Sequence, residues 1–155
     1  MDLDACDRRI ISELQIDARQ TNQVVAEKVG LSQTPYLRRV KRLEQAGIIK
    51  GYKAEIDRQK LGFDLTVSVE VKVARHQDRD ASAFVRTVVT WPEVIACHLV
   101  SGGMDFLLEV VVRDMAGYEE FVLQRLLNIE SVKEVHSNFI MRTYKDNGII
   151  PTHCN

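Results

Sequence analysis

Near residue 60 the spacing of apolar residues changes, and that change limits this chain more than any other feature. Before it, apolar side chains recur every three or four residues, as on an amphipathic helix. After it, the pattern switches back and forth between the strand period of two and the helical period of about 3.6. Two building plans within 155 residues predict two small domains of different class. Apolar residues make up 45% of the chain, enough to supply a core to each.

The first part reads as three helices and a wing. Asp4 is placed to cap a helix carrying Leu3, Cys6, Ile10 and Leu14 on one stripe, widened by Ile11. Thr21 or Asn22 opens a second, short helix in which Val25 and Val29 share a face, and Gly30 ends it. Leu31 follows as a buried turn residue. Ser32 caps a third helix, with Pro35 in its first turn, where a missing N–H costs nothing. Leu37, Val40 and Leu43 form its apolar stripe, and Gly47 stops it. Residues 48–56 read as an extended strand or wing. Two helices joined by a short Gly-containing turn match a helix-turn-helix, which places a DNA-binding domain at residues 1–52. Residues 53–64, polar and containing Gly62, read as a linker and hinge strand.

Charge supports this. The net charge is only −1, but residues 1–60 hold twelve Lys/Arg against nine Asp/Glu, while residues 61–155 hold nine against thirteen. Between Leu31 and Lys53 six cations, Arg38, Arg39, Lys41, Arg42, Lys50 and Lys53, face the single acid Glu44. A basic segment on an acidic chain fits local contact with a polyanion, although a solvated helix face gives a similar pattern. With Val40 at the centre of the buried face, the helical turn angle puts Thr34, Arg38 and Arg42 on the outward side, flanked by Arg39 and Lys41. Arg reads guanine bidentately, and Thr or Gln reaches base edges or phosphates. The expected contacts with double-stranded DNA are therefore Ser32, Gln33, Thr34, Tyr36, Arg38, Arg39 and Arg42.

The second part, residues 65–155, alternates strands and helices. Leu65, Val67, Val69, Val71 and Val73 interleave with Thr66, Ser68, Glu70 and Lys72, a half-buried strand. Residues 82–91 read as a helix with Phe84, Val88 and Trp91 on one face, broken by Pro92. Strands follow at 94–100 and 106–112, joined by a turn at Ser101-Gly102-Gly103. A helix spans 115–128, with Tyr118, Phe121, Val122, Leu126 and Ile129 inward, and residues 132–141 close as a strand. The order β-α-β-β-α-β is ferredoxin-like, a four-stranded antiparallel sheet under two helices. The fold class is α+β: a winged helix-turn-helix, then a ferredoxin-like domain with a C-terminal tail. One sheet face is left without helices, to be solvated or covered by a second copy in a homodimer. His98 and His136 each stand four residues into a strand after a helix, a faint internal echo of two related halves.

Other classes find less support. Cys6, Cys97 and Cys154 are odd in number and far apart, which suggests neither a disulfide framework nor a zinc ribbon. The adjacent pairs Cys97-His98 and His153-Cys154 are candidate metal ligands, but core and tail roles suit them better, so no metal or other cofactor is expected. Ser/His/Asp order, nucleophile elbow, phosphate loop and metal-ligand spacing are absent, and an enzyme would have to use His98 with His136 as a pair or Asp105 as a base. No catalytic residue is assigned. No apolar run has the length of a membrane span, and the acidic start Met1-Asp2-Leu3-Asp4 lacks a secretion-signal pattern, so the expected location is the cytoplasm.

Three ordered segments also resemble one family. Leu3-Asp4, Asp7 to Ile11, Leu14-Gln15 and Asp17-Ala18-Arg19 look like the opening helix of the Lrp/AsnC transcription regulators. Val29 to Tyr52 resembles their recognition helix and wing, and Cys97 to Leu108 their hairpin around an effector loop. The likeness runs from about Leu3 to about Met141. It implies regulation of transcription, dimerisation sheet to sheet, and assembly of dimers into tetramers or octamers. It implies an effector, an amino acid or related metabolite, held between dimers at Ser101, Gly102, Gly103, Met104 and Asp105, with Val135 and Ser137 of a neighbouring subunit completing the pocket. One position departs from the pattern: many relatives carry an acid where this chain has Gly103, then an aromatic where it has Met104. An acid is the natural partner of an ammonium group. A regulator or architectural protein without effector is therefore the alternative.

Overall fold

The computed structural model describes residues 2–74 and 78–152, with backbone alone for 78–80. The chain forms two compact units, residues 1–55 together with 144–155, and residues 56–143.

The first unit holds helices α1 (Ala5–Ile16), α2 (Asn22–Lys28) and α3 (Gln33–Gln45). Asp4 starts α1 by a capping box: its side chain accepts from the Asp7 N–H at 2.8 Å, and Asp7 accepts from the Asp4 N–H at 3.3 Å. Thr21, one of the two expected caps, starts α2 by accepting from the Val24 N–H. Both α2 and α3 end in the same motif. Gly30, at φ +75°, donates to Glu27 while Leu31 donates to Ala26, and Gly47, at φ +69°, donates to Glu44 while Ile48 donates to Leu43. A side chain at either glycine is strained by the positive φ, so both helices stop there. The core of this unit is small: Ile10, Val25, Ala26, Val29, Tyr36 and Leu43 are buried, with Leu3, Cys6, Ile11, Leu14, Leu31, Val40 and Ile49 packed around them.

Three features of this unit differ from the expectation. The apolar stripe of α3 is Tyr36, Val40 and Leu43, while Leu37 is 42% exposed. Residues 50–56 form no strand among the described residues, because a strand needs a ladder and nothing described pairs with this segment. The tail from Tyr144 joins the first unit rather than the second. Gln15 of α1 grips Ile150 by both backbone groups, accepting its N–H at 2.8 Å and donating to its carbonyl at 3.1 Å. Arg8 donates to the Thr152 carbonyl at 2.7 Å, and the Ser12 and Thr152 hydroxyls meet at 2.6 Å. Positions 8, 12 and 15 share one face of a helix, so α1 reads an extended peptide along its length. Ile150 and Pro151 border a cavity of about 400 Å³ with Leu3, Ile11, Leu14 and Tyr52.

The second unit is built on β1 (Leu65–Val73), β2 (Val94–Leu99), β3 (Phe106–Val112) and β4 (Val132–Phe139), in the order β2-β3-β1-β4 with every pair antiparallel. Helices α4 (Asp78–Val88) and α5 (Met115–Glu120) complete it, α5 running on as a π-helical turn over Phe121–Leu126. Val67, Val69, Val71 and Val73 of β1 are all buried and meet Phe84, Val88, Phe106, Leu108, Val110, Val112, Tyr118, Phe121 and Leu126. Their neighbours Thr66, Ser68, Glu70 and Lys72 turn to the other, polar face. The strand bounds match the sequence reading at β1 and β3. Helix α4 begins four residues earlier than expected and ends before Trp91, whose N–H still donates to Val88.

Candidate nucleic-acid interface and effector loop

Helix α3 offers the candidate DNA surface. Ser32, Gln33, Thr34, Arg38, Lys41 and Arg42 are exposed. The Ser32 hydroxyl caps no backbone N–H, so the N-terminal turn keeps donors available to a phosphate. Among the described residues Arg38 and Lys41 form no ion pair, and they stand as uncommitted cations.

The other expected contacts are placed differently. Tyr36 is 1% exposed, a core residue with no surface to offer a groove. Burial pushes its phenol upward, with Glu44 adding to the shift. Arg39 donates to Asp4 at 2.6 Å and to Asp7 at 2.8 Å, and Arg42 donates to Asp7 at 2.6 Å. Asp7 is completely buried. These bonds hold the Asp4 carboxyl below its ordinary value, the Asp7 N–H contributing most and Arg39 next, and they raise Arg39 further. The sequence reading missed Asp4 and Asp7 as partners. A signal existed: acids three apart at the start of α1, Asp4 and Asp7, match Arg residues three apart on α3.

Glu44, the one acid of the basic segment, accepts a hydrogen bond from the Tyr52 hydroxyl at 2.9 Å. Burial, then this bond, push Tyr52 up to about 12. The contact fixes the segment after α3 to the end of that helix.

In the second unit, Ser101, Gly102 and Gly103 are exposed at the tip of the β2–β3 hairpin, and Met104 is half-buried. Val100 donates to the Asp105 carbonyl at 2.9 Å, closing the turn. Asp105 is 6% exposed, and its Oδ2 accepts the Val73 N–H at 3.0 Å while its own N–H donates to Val71. It fixes the root of the loop to the end of β1. Val135 lies opposite Val71, and Val71 opposite Phe106, which in turn faces Leu99. Val135 is therefore level with the loop but two strand spacings from β3, about 10 Å away. Ser137 accepts from the Tyr118 hydroxyl. Within one chain the loop and these two residues do not meet.

The remaining candidates separate as well. His98 and His136 lie on β2 and β4, the two opposite edges of the sheet, so they form no catalytic pair. His136 instead stands by Glu134 at 2.9 Å and Glu70 at 3.8 Å. Cys97 is half-buried, and burial raises its thiol. The pair His153-Cys154 lies outside the described residues. Among the described residues no three metal-ligand side chains converge, and no helix is long and apolar enough to cross a membrane.

Comparison with known proteins agrees with both regions. Residues 3–50 match the model of a winged helix-turn-helix DNA-binding domain, and residues 66–150 that of the Lrp/AsnC ligand binding domain. The leucine-responsive regulatory protein of Rhizobium meliloti is 40% identical over 146 residues, covering 94% of each chain. Its namesake from Escherichia coli K12 is 38% identical over 147 residues, 95% of this chain and 90% of the other. Among solved structures, an AsnC family transcriptional regulator from Agrobacterium tumefaciens superposes with a TM-score of 0.90 at 36% identity, covering 96% and 97%. A transcriptional regulator of Neisseria meningitidis in complex with L-Met gives 0.89 at 35% identity, covering 97% of both. Its DNA-binding helices, its ligand-binding domain and these likenesses along nearly its whole length place the chain in the Lrp/AsnC family of transcription regulators.

Proposed function

We propose that this regulator reads duplex DNA with the N-terminal half of α3 and responds to an amino acid or related small metabolite. The observation that carries the first part is the exposure of Gln33, Thr34 and Arg38 along one outward face, Arg38 being free of any ion pair among the described residues. Arg38 suits guanine recognition, Gln33 and Thr34 suit base edges, and Ser32 suits a phosphate at the helix start. Arg39 and Arg42 stand beside this row on the same helix, already bonded to Asp4 and Asp7. Tyr36 supports the helix from within.

For the effector, the exposed Ser101-Gly102-Gly103 tip presents backbone N–H groups suited to a carboxylate, and Met104 a flexible apolar wall. Val135 and Ser137 of a neighbouring subunit complete the pocket in this reading, which agrees with their separation from the loop inside one chain. The polar outer sheet face is where two copies pair, and dimers assemble to tetramers or octamers. The L-Met complex of the Neisseria relative supports an amino acid as the class.

Gly103 and the buried Asp105 favour a second reading, a regulator without effector, since neither supplies a free acid for an ammonium group. Thermal-shift measurement against the twenty amino acids separates the two: a ligand of the folded state raises the midpoint, and a flat profile supports the second reading. For DNA, Arg38→Ala is expected to cost about 1–3 kcal/mol of specific binding. Equal operator affinity of wild type and Arg38→Ala across salt concentrations refutes the groove assignment.

A further inference from the structure

Asp7 is a wholly buried carboxylate on α1, and both of its oxygens face α3. Oδ1 accepts from Arg39 Nη1 at 2.8 Å, and Oδ2 accepts from Arg42 Nη2 at 2.6 Å. Asp4 adds a second bond to Arg39 at 2.6 Å through Oδ2, while its Oδ1 holds the Asp7 N–H. One capping box thus starts α1 and binds two guanidinium groups of α3. The cluster contains two acids and two arginines and carries no net charge. Both arginines remain open to solvent, Arg39 at 27% and Arg42 at 49% side-chain exposure, so they lie where a phosphate could otherwise claim them.

We propose that Asp7 and Asp4 set the selectivity of this regulator by withholding Arg39 and Arg42 from the DNA backbone. Sequence-independent affinity rises with the number of phosphates neutralised and carries no base information. Of the four cations on α3, two are matched by acids of the same unit, which leaves Arg38 and Lys41 for the duplex. The clamp keeps non-specific binding weak, and base reading by Gln33, Thr34 and Arg38 then decides occupancy. Asp7 and Asp4 are positioning residues: they act through the arginines and touch no ligand.

The inference rests on α3 being the helix against DNA. It predicts a change opposite in sign to simple structural damage. Asp7→Asn keeps the size of the side chain and removes its charge. Asp4→Asn does the same at the exposed partner, and Asn caps a helix as well as Asp does, so that variant keeps its fold. Binding of each full-length variant to an operator duplex and to a scrambled duplex is measured by fluorescence anisotropy over a salt series. Asp7→Asn is expected to bind the scrambled duplex about tenfold more tightly at low salt, with the slope of log K against log salt steeper by about 1–2. Asp4→Asn shifts both in the same direction by less, and adding Arg39→Gln to either variant reverses part of the gain. Unchanged slopes in Asp4→Asn with native circular dichroism overturn the proposal, as does an equal loss of affinity for both duplexes in Asp7→Asn. Arg38→Ala is the control: if it alters neither duplex, the placement of α3 on DNA fails, whatever the Asp variants do.

Discussion

The two units hold themselves together by different means. Among the described residues the second buries thirteen apolar ones in one cluster between a four-stranded sheet and its helices. The first buries six among the described residues, and adds a buried carboxylate with two arginines and a strap made by Ile150 and Thr152. Apolar burial scales with area and is indifferent to pH. Charged and polar contacts are geometric, titratable and sensitive to a single atom. A unit that must present polar groups to a partner therefore has its stability and its function drawn from the same side chains.

The sharpest way to break the contrast is to remove core volume from the second unit. Phe84 is fully buried, its ring tilted against that of Phe106 with centroids 4.8 Å apart. Phe84→Ala is expected to cost about 3–5 kcal/mol, read as lost amide protection throughout the sheet. A cost below about 1 kcal/mol would show that the sheet does not depend on this cluster. Ending the chain after Gly148 removes the strap, and four hydrogen bonds with it. The expected cost is about 1–3 kcal/mol, confined to α1, α2 and α3 in hydrogen exchange, with β1–β4 unchanged. Equal loss in both units would erase the distinction.

Acid provides a third comparison. The Asp4 carboxyl is depressed below 3.8 by the Asp7 N–H and Arg39. A depressed carboxylate contributes stability that is present above the unfolded value and lost as pH falls through the folded one. The helical unit should therefore lose stability below about pH 4 through this group, and Asp4→Asn should flatten that loss. The smallest effect is at alkaline pH. Tyr52 is raised to about 12, so the folded state holds its proton longer than the unfolded chain. Its contribution is complete below pH of about 10 and disappears as pH rises toward 12. In absorbance titration at the phenolate band, Tyr52→Phe should remove the component near 12.

Local signals were legible and long-range polar ones were not. The alternation of Leu65 to Val73 marked β1 to the residue, because a half-buried strand has no other pattern available. Gly30 and Gly47 marked the ends of α2 and α3 for a steric reason that is local. The choice between Tyr36 and Leu37 depended on where α1 and α2 press against α3, which their one-residue offset does not encode. The early start of α4 was not legible because residues 78–81 carry no apolar period to read. The helix after Met115 changes to π geometry at Phe121, which lets Phe121 and Leu126, five apart, both face the core. The tail left no periodic trace: Gln15 recognises Ile150 through backbone groups, which any sequence possesses. At the site, the exposed row of α3 was legible from helical geometry. The tethering of Arg39 and Arg42 was not, since ion pairing between separate helices depends on their packing.

The strap has a consequence for synthesis. Ile150 lies 135 residues beyond its partner Gln15, so all of residues 56–143 leave the ribosome before the helical unit can close this contact. A polypeptide cut before Ile150, whether by premature termination or by a protease, carries its defect in the part that meets the genome.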